Sequence, residues 1–177
     1  MRSTRIMLLA VALLAISTAA LAVVLPDENQ QTLFTASVSE QADLTVPATI
    51  TFDVVDVSAD TAVTGLTVSV TAIVLYDGNA LRIELKADSA NFDMPTGATV
   101  TWAASDVSWD APAWTGGTGA AGTLSSAAYT KIADSNENVG ELSSSAVTWT
   151  LADKATIERA GDYDLTTTWK FSSFTPP

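Results

Sequence analysis

Residues 81–88 read Leu-Arg-Ile-Glu-Leu-Lys-Ala-Asp. Leu81, Ile83, Leu85 and Ala87 share one parity, and Arg82, Glu84, Lys86 and Asp88 share the other. Successive side chains of an extended backbone point to opposite faces, so this stretch is a strand with one face in a core and one in solvent. Before it, Asp77-Gly78-Asn79 marks a turn, and the Asp-Gly pair predicts a hairpin. The strand expected on the other side of that turn has Leu66, Val68, Val70 and Ala72 on one face and Thr67, Ser69 and Thr71 on the other.

The same period extends both ways. Between residues 34 and 54 the even positions are mostly apolar and the odd ones mostly polar. The stretch is too long for one strand, and residues 40–43 with Pro47 interrupt it, which predicts strands over 32–39 and 44–56. Further strands are expected near 100–109, 123–132, 146–153 and 163–171. Val100, Trp102 and Ala104 are even, whereas Val107 and Trp109 are odd, and such a phase shift predicts a bulge or bend. Loops are expected at 58–65, at the glycine-rich 115–122 and at the polar 134–145. A helical period is missing beyond residue 22, apart from room for a short turn near 88–92 or 153–159. About eight strands in one chain imply an all-β fold: a single two-sheet antiparallel β-sandwich over residues 44–177, arranged as an immunoglobulin-like or pilin-like Greek key. Leu81, Ile83, Leu85, Val147, Trp149, Leu165 and Trp169 are its expected core.

Residues 1–22 carry Arg2 and Arg5, an apolar run from Ile6 to Ile16, and Ala20-Leu21-Ala22. That is the pattern of a secretory signal peptide, with cleavage expected after Ala22 and no membrane insertion afterwards. The chain of 177 residues has 8 basic against 20 acidic residues. Subtracting Arg2 and Arg5 leaves 6 basic against 20 acidic, a net charge of −14. Such a chain is a poor partner for nucleic acid, whose binding depends on Lys and Arg displacing counterions. Cysteine and histidine are both missing, which excludes disulfides, thiolate or imidazole zinc sites, and catalysis by Cys or by Ser-His pairs.

Three groups of residues invite a chemical reading. Asp134, Asn136 and Asn138 have a spacing that converges oxygens on calcium, although Gly140 comes late and Ser145 replaces the distal acid. No other cofactor is expected. Trp109, at the phase shift, and Trp114, beside the glycine stretch, could form an aromatic platform for a glycan, while Trp102, Trp149 and Trp169 share parity with core residues. Asp53, Asp56, Asp60, Asp106 and Asp110 are acidic residues near strand ends; glycoside hydrolysis would need two of them facing across a cleft.

Ile157-Glu158-Arg159-Ala160-Gly161-Asp162-Tyr163-Asp164-Leu165 resembles the Ala-Gly-x-Tyr-x-Cys turn of immunoglobulin-like domains, with Leu165 at the second cysteine position. That resemblance implies a tyrosine corner at Tyr163, its ring packed and its hydroxyl bonded to upstream backbone. The turn before a final long strand, together with the alternating segment from Leu33 to Phe52, also resembles exported fimbrial subunits of the spore-coat-type and related donor-strand families. Two departures stand beside it: the cysteines common in those subunits are missing, and their Phe-Gly is Phe52-Asp53 here. The function expected is a non-enzymatic structural subunit, secreted or held at the cell surface or in the periplasm, in a surface fibre or extracellular matrix. Its partners would be further copies of itself or other envelope proteins. Phe34, Ala36 and Val38 would face a sandwich, that of their own chain or of a neighbour, after a leader at 23–31 and before a hinge at 40–43. The alternative is an extracellular carbohydrate-binding module.

Overall fold

The computed structural model describes residues 32–177, so the expected signal peptide and the leader at 23–31 lie outside the described residues. The chain divides after Ser37. In the first unit, residues 32–37 form no strand, and Leu33 and Phe34 are 88% and 90% exposed. The second unit begins at Val38. It contains β1 (Gln41–Thr45), β2 (Thr61–Leu66), β3 (Ser69–Val74), β4 (Ala80–Ala87), β5 (Val107–Trp109), β6 (Trp114–Thr115), β7 (Gly117–Gly119), β8 (Gly122–Thr123), β9 (Thr130–Ser135), β10 (Leu142–Ser144), β11 (Val147–Leu151) and β12 (Thr167–Phe174). Among the described residues the only helical element is a 3₁₀ turn at Ala104–Asp106.

The fold is all-β and compatible with a β-sandwich. Its hydrogen bonds divide into three four-stranded antiparallel sheets, ordered β1-β3-β10-β6, β2-β11-β5-β8 and β12-β4-β9-β7. Strand β4 is central in the third, paired along its whole length with β12. Ile83 and Leu85 are buried, and Arg82, Glu84 and Lys86 are not, so the register read from residues 81–88 is the observed one. Val147 and Trp149 are also fully buried, while Leu165 and Trp169 pack against the core with part of their surface exposed. The 3₁₀ turn accounts for the phase shift near residue 105. It steps the chain by one position, so that Trp102 before it, Ala104 at its start, and Val107 and Trp109 after it are all buried. Its first turn is held by Asp106, whose Oδ2 accepts from the Ala103 amide at 2.9 Å.

Several expected elements fall elsewhere, each for a local reason. The strand expected over 32–39 is irregular, and the first strand occupies the expected hinge. Glu40 Oε1 fixes that start by accepting from the Tyr76 amide, Asn79 Nδ2 and Ser173 Oγ. Only Leu44 and Thr45 of the expected strand 44–56 belong to a ladder. Ala72 is exposed and Ile73 buried because Ala72 adopts φ +51° and the β1–β3 register shifts there, a bulge that exchanges the two faces. Asp77-Gly78 does turn the chain, but β3 and β4 lie in different sheets, so the turn is a corner and not a hairpin. The expected loop at 58–65 contains most of β2, which pairs with β11. The strand expected at 123–132 divides into β8 and β9, and the one expected at 163–171 begins at Thr167.

The glycine-rich 115–122 is ladder in large part, forming β6, β7 and β8. A Cβ at Gly119 would collide with the Trp114 indole and one at Gly122 with the Trp109 ring. These glycines let backbone approach large side chains, a packing role that composition alone reads as flexibility.

Candidate functional site

Residues 46–57 run over the core beside β11, with Ile50, Phe52, Val54 and Val57 half-buried and Thr51, Asp53 and Val55 exposed. Over 50–55 the period-two pattern is therefore real burial, yet the segment belongs to no sheet. Among the described residues, no backbone–backbone hydrogen bond reaches 46–55. Facing it, 157–166 is largely unladdered too, tied at Asp164 by an isolated bridge to Asp93. Tyr163 holds this second wall: its hydroxyl donates to the Arg159 carbonyl at 3.0 Å, and its ring meets Trp102 edge-on at 5.2 Å. This is the tyrosine-corner geometry expected from the sequence.

Between these walls lies a groove of about 1110 Å³, with Leu85, Trp102, Trp149, Leu151 and Trp169 among its lining. Trp149 sits at the centre of an aromatic row, 5.5 Å from Trp109 and 6.3 Å from Trp169 between ring centroids. Its indole N–H is buried without a hydrogen-bond partner among the described residues. Unpaired buried donors are uncommon and costly. Asp53, Glu158, Arg159 and Asp162 also line the groove, giving it a mainly acidic set of charges. The arrangement can bury apolar side chains, and one wall, 46–55, has main-chain groups without a backbone partner among the described residues, the kind of edge that an extended segment can pair with.

Of the candidate residues singled out from sequence, Asp53 lines this groove, and the others lie apart from it or have other work. Trp109 is only 3% exposed and donates its indole N–H to the Ala120 carbonyl at 3.0 Å. Trp114 is partly buried against the core. An exposed pair of stacking rings is therefore not formed by these two, because the phase shift turns Trp109 inward and Gly119 packs on Trp114. At the candidate calcium residues, the Asp134 carboxylate is engaged by cations of the chain itself. It is held by Arg82 at 2.7 Å and 3.0 Å and by Lys131 at 3.0 Å, and Asn138 takes φ +55° in the following turn. Among the described residues no three acidic side chains gather where a metal could sit.

Asp56, Asp60, Asp106 and Asp110 act as structural acceptors. Asp106 Oδ2 also accepts from Lys154 Nζ at 3.0 Å, Asp110 Oδ1 from the Thr148 amide at 2.9 Å, and Asp60 Oδ1 from the Asp153 amide at 2.8 Å. Asp56 receives both the hydroxyl and the amide of Ser58, which hold its pKa below the ordinary range. Phe34 and Val38 are 90% and 65% exposed, and neither they nor Ala36 belong to a strand. The sequence missed the groove because nothing in it is chemically conspicuous. The available signal was an alternating stretch, 46–57, longer than the ladder that could use it.

Acid should weaken this fold without a step near neutrality. Burial pushes the Asp134 carboxyl up, but the hydrogen bonds from Arg82 and Lys131 outweigh it and hold the pKa below the ordinary value. At Glu40 the Tyr76 amide and then Asn79 lower it as well. A carboxyl depressed in the folded state stabilises above its unfolded pKa and loses that contribution as pH falls through the folded one. With no histidine in the chain, the urea midpoint should be flat from about pH 7 to pH 5 and fall below about pH 4. Asp134→Asn should lower the plateau and shallow the fall. A loss that begins near pH 6 would contradict this assignment.

No protein-family model matches the chain, and no curated protein is significantly similar to it.

Proposed function

We propose that this chain is a non-enzymatic structural subunit, exported through residues 1–22, that builds a surface fibre or extracellular matrix by lending residues 32–39 of one copy to the groove of the next. The observation that carries this reading is the groove with two extended walls, one of which, 46–55, has no backbone partner among the described residues. An added strand would pair the N–H and C=O groups of that wall and cover apolar lining in the same step. Residues 32–39 have the matching form: Phe34, Ala36 and Val38 share one face of an extended chain, and Phe34 and Val38 stand exposed. The acids support a structural role, since Asp56, Asp60, Asp106 and Asp110 each accept bonds that hold a turn or strand end.

The test is Phe34→Asp in the chain that begins at residue 23. Placing a carboxylate where an aromatic ring is to be buried costs several kcal/mol of any contact that uses it, and costs the fold nothing at an exposed position. Sedimentation should show large assemblies for the unaltered protein, monomer for Phe34→Asp, and the same thermal midpoint for both. Equal assembly by the two proteins would reject strand lending through this segment.

A further inference from the structure

The acidic chain carries one concentration of cations that the assembly reading does not use. Of the 8 basic residues, Arg2 and Arg5 lie outside the described part, and four of the other six, Arg82, Lys86, Lys131 and Lys170, share the outward face of β12-β4-β9. The strand register explains the grouping. Glu84 stands opposite both Lys170 and Lys131, Arg82 opposite Asp134, and Lys86 opposite Thr168. Three carboxylates stand beside the four cations: Asp134 pairs with Arg82 and Lys131, Glu84 pairs with Lys170 at 2.8 Å, and Asp88 accepts from the Thr168 hydroxyl at 2.7 Å. Lys86 has no carboxylate partner among the described residues. Its ammonium lies 5.7 Å from the centre of the Tyr129 ring, and that of Lys170 lies 5.2 Å from the same ring. Tyr129 is 37% exposed.

We infer that this face binds an acidic polysaccharide, with Lys86 and Lys170 taking sugar carboxylates around Tyr129. Four cations against Glu84, Asp134 and Asp88 leave one excess positive charge, at Lys86, and it can select a polyanion locally because at physiological ionic strength the screening length is about 8 Å and the acidic remainder of the molecule is largely screened. The ring holds both ammonium groups near one point through its negative face, so less freedom is lost when an anion arrives. Its exposed part adds apolar contact that a sugar ring can use. The hydroxyl of Ser172, opposite Arg82, extends the polar row along the same strands, while that of Thr168, opposite Lys86, donates to Asp88 at 2.7 Å. A glycan uses the aromatic ring, the hydroxyls and the lysines together, whereas a second copy of this acidic chain would need only the charges.

The experiment is retardation of the chain from residue 23 in native gels containing polygalacturonate, with dextran and single-stranded DNA as comparison polymers. Polygalacturonate should retard the protein, dextran should not, and DNA should do so far less. Lys86→Ala with Lys170→Ala should weaken the polygalacturonate effect about tenfold or more, because two charge-assisted hydrogen bonds are lost. Tyr129→Ala should weaken it by a smaller factor, and Lys154→Ala, a cation off this face, should leave it unchanged; circular dichroism checks that each variant is folded. No retardation, equal retardation by dextran or DNA, or loss in Lys154→Ala to the same degree would each overturn the inference. So would a double variant that sediments differently without polysaccharide while keeping its retardation, since the face would then be a contact between copies. Phe34→Asp should retain full retardation even if assembly is lost, which keeps this test separate from that of strand lending.

Discussion

Trp149→Ala should remove about 3–5 kcal/mol of stability, roughly a fifth or more of what a domain of this size has. Trp149 is 1% exposed and joins Trp109 to Trp169, so truncation leaves a large void between rings that cannot close without moving β5 and β12. Strand β11, which carries it, pairs with β2 on one side and β5 on the other. The substitution thus loosens a central strand from within. Trp149→Phe should cost distinctly less, because it keeps an aromatic ring in the row and removes an indole N–H that has no partner. Urea denaturation of the three proteins measures both differences. A loss below about 1 kcal/mol for the alanine variant would mean that the aromatic row is not a packed core.

Gly116→Ala should destabilise by about 2 kcal/mol or more for two reasons acting at one atom. Gly116 has φ +77°, a conformation that a Cβ disfavours, and that Cβ would collide with the Glu141 carbonyl oxygen. Relief would require moving backbone that enters β10, and Leu142 there is fully buried. Gly140→Ala is the comparison, since no atom stands within 4 Å of the added methyl. Thermal denaturation should show a clear drop for the first and little change for the second. Equal midpoints would show that the approach of Gly116 to Glu141 is not required.

The strand over residues 81–87 was legible because its pattern and its hydrogen bonding coincide. Alternation reports which side chains are buried, and in β4 the buried residues also lie in a ladder with β12 and β9. In 50–55 the same alternation reports burial alone, so a correct reading of which residues face inward became an incorrect strand. The Asp77-Gly78 turn was legible as a turn. That it joins two sheets depends on β3 pairing with β1 and β10, contacts that local sequence does not encode. The glycines of 115–122 misled for a related reason: the clashes that require them come from Asp134, Glu141, Leu142, Trp109 and Trp114, and only the last is near in sequence. The groove could not be read at all, since it arises where two extended segments fail to pair. Tyr163 was legible because its hydrogen bond is local, four residues back to Arg159.

The most direct measurement of strand lending is hydrogen exchange at 46–55 as protein concentration rises. In the chain that begins at residue 23, those amides have no backbone acceptor among the described residues. In dilute protein they should exchange fast, and they should become protected together with residues 32–39 over the concentration range in which filaments appear by electron microscopy. A chain that stays monomeric at every concentration, with the amides of 46–55 exchanging at one unchanged rate, would contradict the account.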